Sequence, residues 1–303
     1  MDKLITKLNK YITNPHILEE RARLSHYPSG ASAVSRINGD ILGKCHRSSW
    51  YDWKGYKPTN PIDARGRWTF AHGNKMEAMI AEQFKQMGMW AGSNVKFYMQ
   101  DKNISGEVDI FVFGDKVVKM AAPDKPPEEI KKIIGVEIKT AYGYGFQKSV
   151  SQAPKPENLM QCGIYLDYWS KLYPDEIDEW RLIYMARDTH ETVEYVAKLD
   201  RTKEATKLTV DEKPYEIFYL EDVYERYKIL GEYVIKNQPP PQDFKYGYEW
   251  VESEERFERG KISKTALAQI QSGKKLDSDW HCLYCSHLDR CWPEKRNSLG
   301  NKK

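Results

Sequence analysis

The stretch IIGVEIKTA, residues 133 to 141, constrains this chain more than any other. Apolar Ile134, Val136 and Ile138 alternate with Gly135, Glu137 and Lys139. A period of two is the mark of a strand. Alternate residues of a strand share a face, so Glu137 and Lys139 project together, away from Val136 and Ile138. A chain with such a strand must build a sheet and cover its apolar face. It must also give the two charges either solvent or a task. Taken alone, a surface salt pair on an edge strand and a working site explain the pair equally well. Glu129-Ile130-Lys131 repeats the triplet with no alternation around it. It follows Pro126-Pro127 and reads as a solvated loop.

Composition narrows the setting. The 303 residues allow one large domain or two. With 30% charged and 13% aromatic residues, the chain is globular in type and not disordered. A net charge of +3 gives no global basic field, so a polyanion site has to rest on local clustering. The N-terminal residues carry no apolar signal core, and no apolar run approaches the length of a membrane span. The expectation is a cytoplasmic protein that does not enter a membrane. In that reducing setting, 5 cysteines read as ligands or free thiols before disulfides.

In chain order, residues 1 to about 25 read as helix and 25 to 34 as loop, with Ser32 able to cap a following helix. Cys45-His46-Arg47 then sits among aromatics, where a cysteine is locally best explained as a small buried hydrophobe. Residues 70 to 89 predict a helix, with Asn74 as its cap and Gly88 as its stop. Its core stripe is Met76, Met79, Ile80, Gln83, Phe84 and Met87. Residues 105 to 113 predict a second strand, with Val108, Ile110 and Val112 on one face and Asp109, Phe111 and Phe113 on the other. Residues 140 to 158 are a Gly-, Pro- and aromatic-rich loop, and 158 to 173 a helix on which Gln161 and Tyr165 share a face. Strands are expected at 180 to 188, 192 to 199 and 215 to 220, and a helix at 221 to 237. Pro239-Pro240-Pro241 is a boundary, after which the chain is polar until residue 279.

Two constellations carry chemistry. Glu77, from the first helix, joins Asp109 and Glu137, from consecutive strands. Three gathered carboxylates repel one another unless a cation neutralises them, and hard oxygen donors suit Mg2+ or Mn2+. Lys139 beside them is able to orient or deprotonate a water, or offset charge on a phosphate. The second constellation is Cys282, Cys285 and Cys291. Three thiols within ten residues read as a soft-metal site whose fourth ligand lies elsewhere, at Cys45 or Cys162.

Four segments together resemble the PD-(D/E)XK nuclease superfamily in its RecB-like branch. They are Gly73-Asn-Lys-Met-Glu77, Gly106-Glu-Val-Asp109, Glu137-Ile-Lys139 and Gln161-Cys-Gly-Ile-Tyr165. Many relatives have histidine where Glu77 stands, and His72 precedes Gly73, so His72 is a second candidate there. The cysteine layout is similar to the iron–sulfur subgroup of that superfamily, the AddB nuclease domain and the CRISPR-associated Cas-four-type exonucleases. There, one cysteine before the core and three after it hold a four-iron four-sulfur cluster.

The resemblance implies an α/β fold, with a restriction-endonuclease-like core whose central mixed sheet is flanked by helices. An N-terminal helical segment (1–66), the nuclease core (67–237) and a C-terminal segment (238–303) would be joined by a cluster on Cys45, Cys282, Cys285 and Cys291. The alternative is zinc, held by the four thiols or by three with His281 or His287. The resemblance further implies that Glu77, Asp109, Glu137 and the Ile138 carbonyl hold the Mg2+ or Mn2+, with Lys139, Gln161 and Tyr165 completing the catalytic set. The implied activity is a DNA exonuclease on single strands or free ends, in recombination, repair or CRISPR adaptation, of cellular or phage origin. Two alternatives stand beside it: a nuclease active only in complex with integrase or recombination partner proteins, and a non-catalytic DNA-binding module. Tyr142, Tyr144 and Phe146 follow the catalytic strand, and either stack on unpaired bases or pack their own loop.

Overall fold

The computed structural model describes residues 36–37, 40–41, 44–119, 128–202 and 205–293. The helix expected over residues 1 to 25 and the Ser32 cap lie outside them. A short hairpin, β1 (Arg36–Ile37) and β2 (Asp40–Ile41), stands where a helix was expected. Next come α1 (His46–Trp53), α2 (Ala64–Gln86), β3 (Trp90–Met99), β4 (Ile104–Lys119) and β5 (Glu128–Ala141). A π-helical turn, Phe146–Val150, leads to α3 (Pro156–Leu172). The strands β6 (Glu179–Ala186), β7 (Thr192–Arg201), β8 (Thr206–Val210) and β9 (Lys213–Tyr215) follow, then α4 (Leu220–Ile235). The chain ends its described course in α5 (Trp250–Glu258), α6 (Lys264–Gln271), α7 (Trp280–Leu283) and α8 (Leu288–Cys291).

The chain forms two units. One joins Met1–Gly43 to Asp63–Glu232, and the other joins Lys44–Ile62 to Tyr233–Lys303. The first is α/β, with a seven-stranded mixed sheet in the order β3-β4-β5-β6-β7-β8-β9. Its β5 and β6 run parallel, and the other neighbours run antiparallel. Parallel neighbours need a crossover, which α3 supplies. Leu159, Met160, Ile164 and Leu166 of α3 pack with Phe97, Phe111, Trp180 and Leu182 in the larger core cluster. On the other face Ala81 of α2 packs with Ile110, Val112, Val136 and Ile138. On α3, Asp167 is buried, and accepts hydrogen bonds from Lys171 (2.7 Å), Tyr224 (2.6 Å) and Arg201 (3.2 Å).

Several expectations need correction. Asp63 caps α2, its side chain accepting from Gly66 N at 2.8 Å, so the helix starts well before Asn74. The apolar face under α2 is narrow: Met76 and Ala81 are buried, while Gln83, Met79 and Met87 are exposed. Glu129-Ile130-Lys131 is strand and not loop, because β4 and β5 continue as a long hairpin in which Val117 pairs with Ile130. An exposed Lys116–Glu129 pair and Lys131 lying over the Phe113 ring decorate it. The strand expected at 215–220 is displaced into β8 and β9, and the buried Phe218 and Leu220 lead into α4.

In the second unit, the stretch read as merely polar holds α5 and α6. A Glu249/Glu252 capping box starts one, and Ser263 caps the other. Residues 44–62 are tied to the C-terminal part by hydrogen bonds. His46 N donates to Asp243 (2.8 Å), Trp50 Nε1 to Tyr233 O (3.1 Å), and the Thr59 and Asn60 amides to Ser286 O (2.8 and 2.9 Å). Among the described residues, no helix is long and apolar enough to cross a membrane.

Candidate active site

The site forms where β4 and β5 part. Their ladder reaches Ile110↔Val136, and at the next step Asp109 Oδ2 accepts the Ile138 amide at 2.7 Å. A side chain has replaced a ladder bond. The parting also breaks the expected alternation: Ile110 and Val112 stay in the smaller cluster, while Val108 turns into the larger one with Phe111. Asp109 is thereby held at the fork.

Glu137 is 1% exposed. Its Oε1 accepts from Gln161 Nε2 at 2.8 Å and pairs with the Lys139 ammonium. Its Oε2 is buried with no hydrogen-bond partner among the described residues. Gln161 Nε2 also donates to the Tyr165 hydroxyl at 3.0 Å, and that oxygen accepts from Glu107 N at 3.4 Å. This contact explains Gly106. A Cβ there would fall 2.4 Å from the Phe97 ring and 2.5 Å from the Tyr165 ring. The absent side chain lets Tyr165 sit edge-on to Phe97, ring centres 5.0 Å apart, and reach the backbone of the aspartate strand.

Glu77 and Asp109 line one open cleft with Asn74, Asn94 and Glu107. Asn74 stands three residues before Glu77 on α2, hence on the same face. Asn94 donates to Glu77 Oε1 at 3.5 Å, from a left-handed backbone with φ of 54°. Neither asparagine stood out in the sequence as a partner of the acids. His72 is exposed. Five residues from Glu77, it points about 140° around the helix from it. The structure brings Glu77, and not His72, to the cleft.

The electrostatics agree with this crowding. Burial and the charge of Asp109 push the Glu77 pKa up to about 7. Burial likewise raises Asp109 and Glu137, and the neighbouring acids add to the rise at Glu137. At Lys139 burial works against the charge, but Glu137 and Asp109 outweigh it and hold the pKa well above its ordinary value. Three carboxyls that resist ionising side by side, one with an orphaned buried oxygen, suit a hard divalent cation. Among the described residues, no group of three or more His, Cys, Asp or Glu side chains is already arranged around a single metal position.

In the second unit, Cys45, Cys282, Cys285 and Cys291 line one cavity together with His281 and His287. Cys162 is elsewhere, fully buried in the α3 core. Burial and Asp243 push the Cys45 pKa up to about 12. Burial raises Cys282, and the other three thiols add to it. Burial raises Cys291 as well, and four thiols lining one cavity are a donor set that a cationic group would stabilise. The His287 ring is wholly buried, its Nε2 2.7 Å from Asp52 Oδ1, and its amide donates to Cys285 Sγ at 3.4 Å. His281 is stacked between Phe244 and Trp280.

Of the three rings that follow β5, Tyr142 and Tyr144 are 65% and 79% exposed. Phe146 is buried in the larger cluster, so it anchors its loop and does not offer a stacking face.

No family model matches the chain, and no curated protein matches it. Among solved structures, SSO0001 is similar at 15% identity over 82% of each chain, with a TM-score of 0.37. A likeness that low carries no argument about function.

Proposed function

We propose that the chain is a metal-dependent deoxyribonuclease of the PD-(D/E)XK type, with a restriction-endonuclease-like core, acting on single-stranded DNA or DNA ends. The observation that carries this reading is the buried, unpartnered Glu137 Oε2. An acceptor left unmade in a buried site costs about 1–3 kcal/mol, more if charged, so its retention calls for a ligand. Asp109 and Glu77 lie on the same charge cluster. Glu77, Asp109 and Glu137 would hold Mg2+ or Mn2+, with the Ile138 carbonyl as a further donor. Such a cation supplies Lewis acidity, polarising the phosphate and sharpening the nucleophilicity of water.

The remaining roles belong to the chain. Lys139, paired with the Glu137 carboxylate, would donate to water or a phosphate oxygen. Gln161 fixes the rotamer of Glu137 by donating to Oε1, leaving Oε2 directed to the ligand. Tyr165 fixes Gln161 in turn, and ties the pair to the β4 backbone. Asn94 orients Glu77. A four-iron four-sulfur cluster on Cys45, Cys282, Cys285 and Cys291 fits the soft donor set of the second unit, where it would cross-link residues far apart in sequence. Zinc is the alternative there.

The test is degradation of labelled single strands by the purified chain with Mn2+, beside Glu137→Ala and Lys139→Ala. Each variant is expected to lose at least about a hundredfold in rate. Wild type as inactive as both variants would sink a stand-alone nuclease. Activity that returns on adding integrase or recombination proteins would assign it to a complex. Broad visible absorbance that bleaches on reduction would support the cluster, and a colourless protein with stoichiometric zinc would replace it.

A further inference from the structure

The turn that follows the catalytic strand is built to hold two aromatic rings in solvent. β5 ends beside β6, with Ala141 paired to Ala186, and the next residues of each strand are Tyr142 and Arg187. Arg187 N donates to Ala141 O at 2.8 Å, fastening the two strand exits together. Asp188 Oδ1 then accepts from Gly143 N at 3.2 Å. Gly143 has φ of 42°, and a Cβ there would stand 3.3 Å from the other oxygen of Asp188, so the position favours glycine. Gly145 N and Phe146 N return to Tyr142 O and Gly143 O at 2.9 and 3.0 Å. Phe146, buried, anchors the far side. A turn pinned at three points nonetheless leaves the Tyr142 and Tyr144 rings exposed. A backbone fixed before binding loses little entropy when its side chains take a ligand.

Arg187 adds charge. Its guanidinium carbon lies 5.9 Å from the Tyr142 ring centre. Its Nε is buried without a hydrogen-bond partner among the described residues. A cation beside the exposed Tyr142 ring, at a turn that starts three residues beyond Lys139, matches the alternation of phosphate and base in an unpaired strand.

We infer that Tyr142, Tyr144 and Arg187 form a seat for a single-stranded polynucleotide next to the acid cluster. The guanidinium takes a backbone phosphate and the tyrosine rings stack on bases. The seat selects unpaired strands, because the bases of a duplex are already stacked on one another. This inference rests on the nuclease reading of the adjoining cluster, and its test is separable from it.

The test is fluorescence anisotropy of a labelled oligothymidine, and of a duplex of equal length, bound to the full chain in chelator, where no turnover occurs. Tyr142→Ala and Tyr144→Ala are each expected to weaken single-strand binding about tenfold. Arg187→Ala is expected to lower the slope of log affinity against log salt by about 0.7. Duplex binding should hardly change with the tyrosine variants. Phenylalanine at either tyrosine should restore binding, since the ring face does the stacking. Both tyrosines are exposed, so their alanine variants keep the fold, which circular dichroism checks. Unchanged single-strand affinity in both alanine variants, with wild type still cleaving, would overturn the seat and leave the nuclease intact. Ring-dependent binding by a wild type that never cleaves with Mn2+ would uphold the seat and sink the nuclease.

Discussion

At the scale of single residues, the acid cluster sets a pH dependence with a definite sign. The Glu77 pKa rises from 4.5 to about 7 on folding. Between those values the folded state binds more protons than the unfolded one, so stability falls as pH rises through the window. Glu77→Gln should therefore flatten the decline in melting temperature between about pH 5 and 7 in metal-free protein. Added Mn2+ should raise the wild-type melting temperature more at pH 8 than at pH 5, since deprotonated acids bind the cation. A scan in which the variant and wild type decline in parallel would refute the assignment. Asp167 has the opposite sign. Burial alone would raise its pKa, but hydrogen bonds from Lys171 and Tyr224 outweigh it and hold the carboxyl below 3.8. Its contribution is present above that value and disappears as pH falls through the lowered pKa. Asp167→Asn should cost about 3 kcal/mol at neutral pH. Chemical denaturation should show that gap closing in acid. Asp109 and Glu137 were legible in the sequence because their spacing on alternating strands is a local pattern. Asp167 was not, because Arg201 and Tyr224 reach it from 34 and 57 residues away.

At the scale of elements, the approach of β4 to α3 is decided by one missing side chain. Gly106→Ala would drive a methyl into the rings of Phe97 and Tyr165. The expected cost is about 1–3 kcal/mol of overpacking. Nuclease rate should fall with it, because Tyr165 can no longer brace Gln161 against Glu137. Full activity in Gly106→Ala would show that the brace is dispensable, whatever the stability. The existence of both strands could be read from their period of two. Their fork could not, since it depends on Asp109 capturing the Ile138 amide from a neighbouring strand. For α2, the stretch from Ala64 to Thr69 was missed because Asp63 looks like one acid in a polar stretch until its hydrogen bond to Gly66 is seen. α5 and α6 escaped notice because each is short and they bury little; their caps at Glu249 and Ser263 were the available signal.

At the scale of the whole molecule, the chain leaves the second unit at Ile62 and re-enters it at Tyr233. The wide gap between Cys45 and Cys282 was plain in the sequence, and so was the cysteine cluster. The resemblance implies that the Cys45 segment joins the C-terminal part through a cluster; the backbone hydrogen bonds that also tie Lys44–Ile62 there, such as those to Ser286 O, were not legible. Cys285→Ala should expose the second unit to limited proteolysis and remove any bound iron, while strand content by circular dichroism persists. Equal protease resistance with metal lost would mean that the hydrogen-bonded ties suffice. The interruption also fixes a timetable for synthesis. Every strand of the sheet has been made once Tyr215 has left the ribosome. Trp50 and Tyr51, buried at 3% and 7% in the finished protein, must then wait for residues beyond 233. During that interval an early-made aromatic segment lacks its C-terminal partners, so a nascent chain stalled before Cys282 presents a sticky strip.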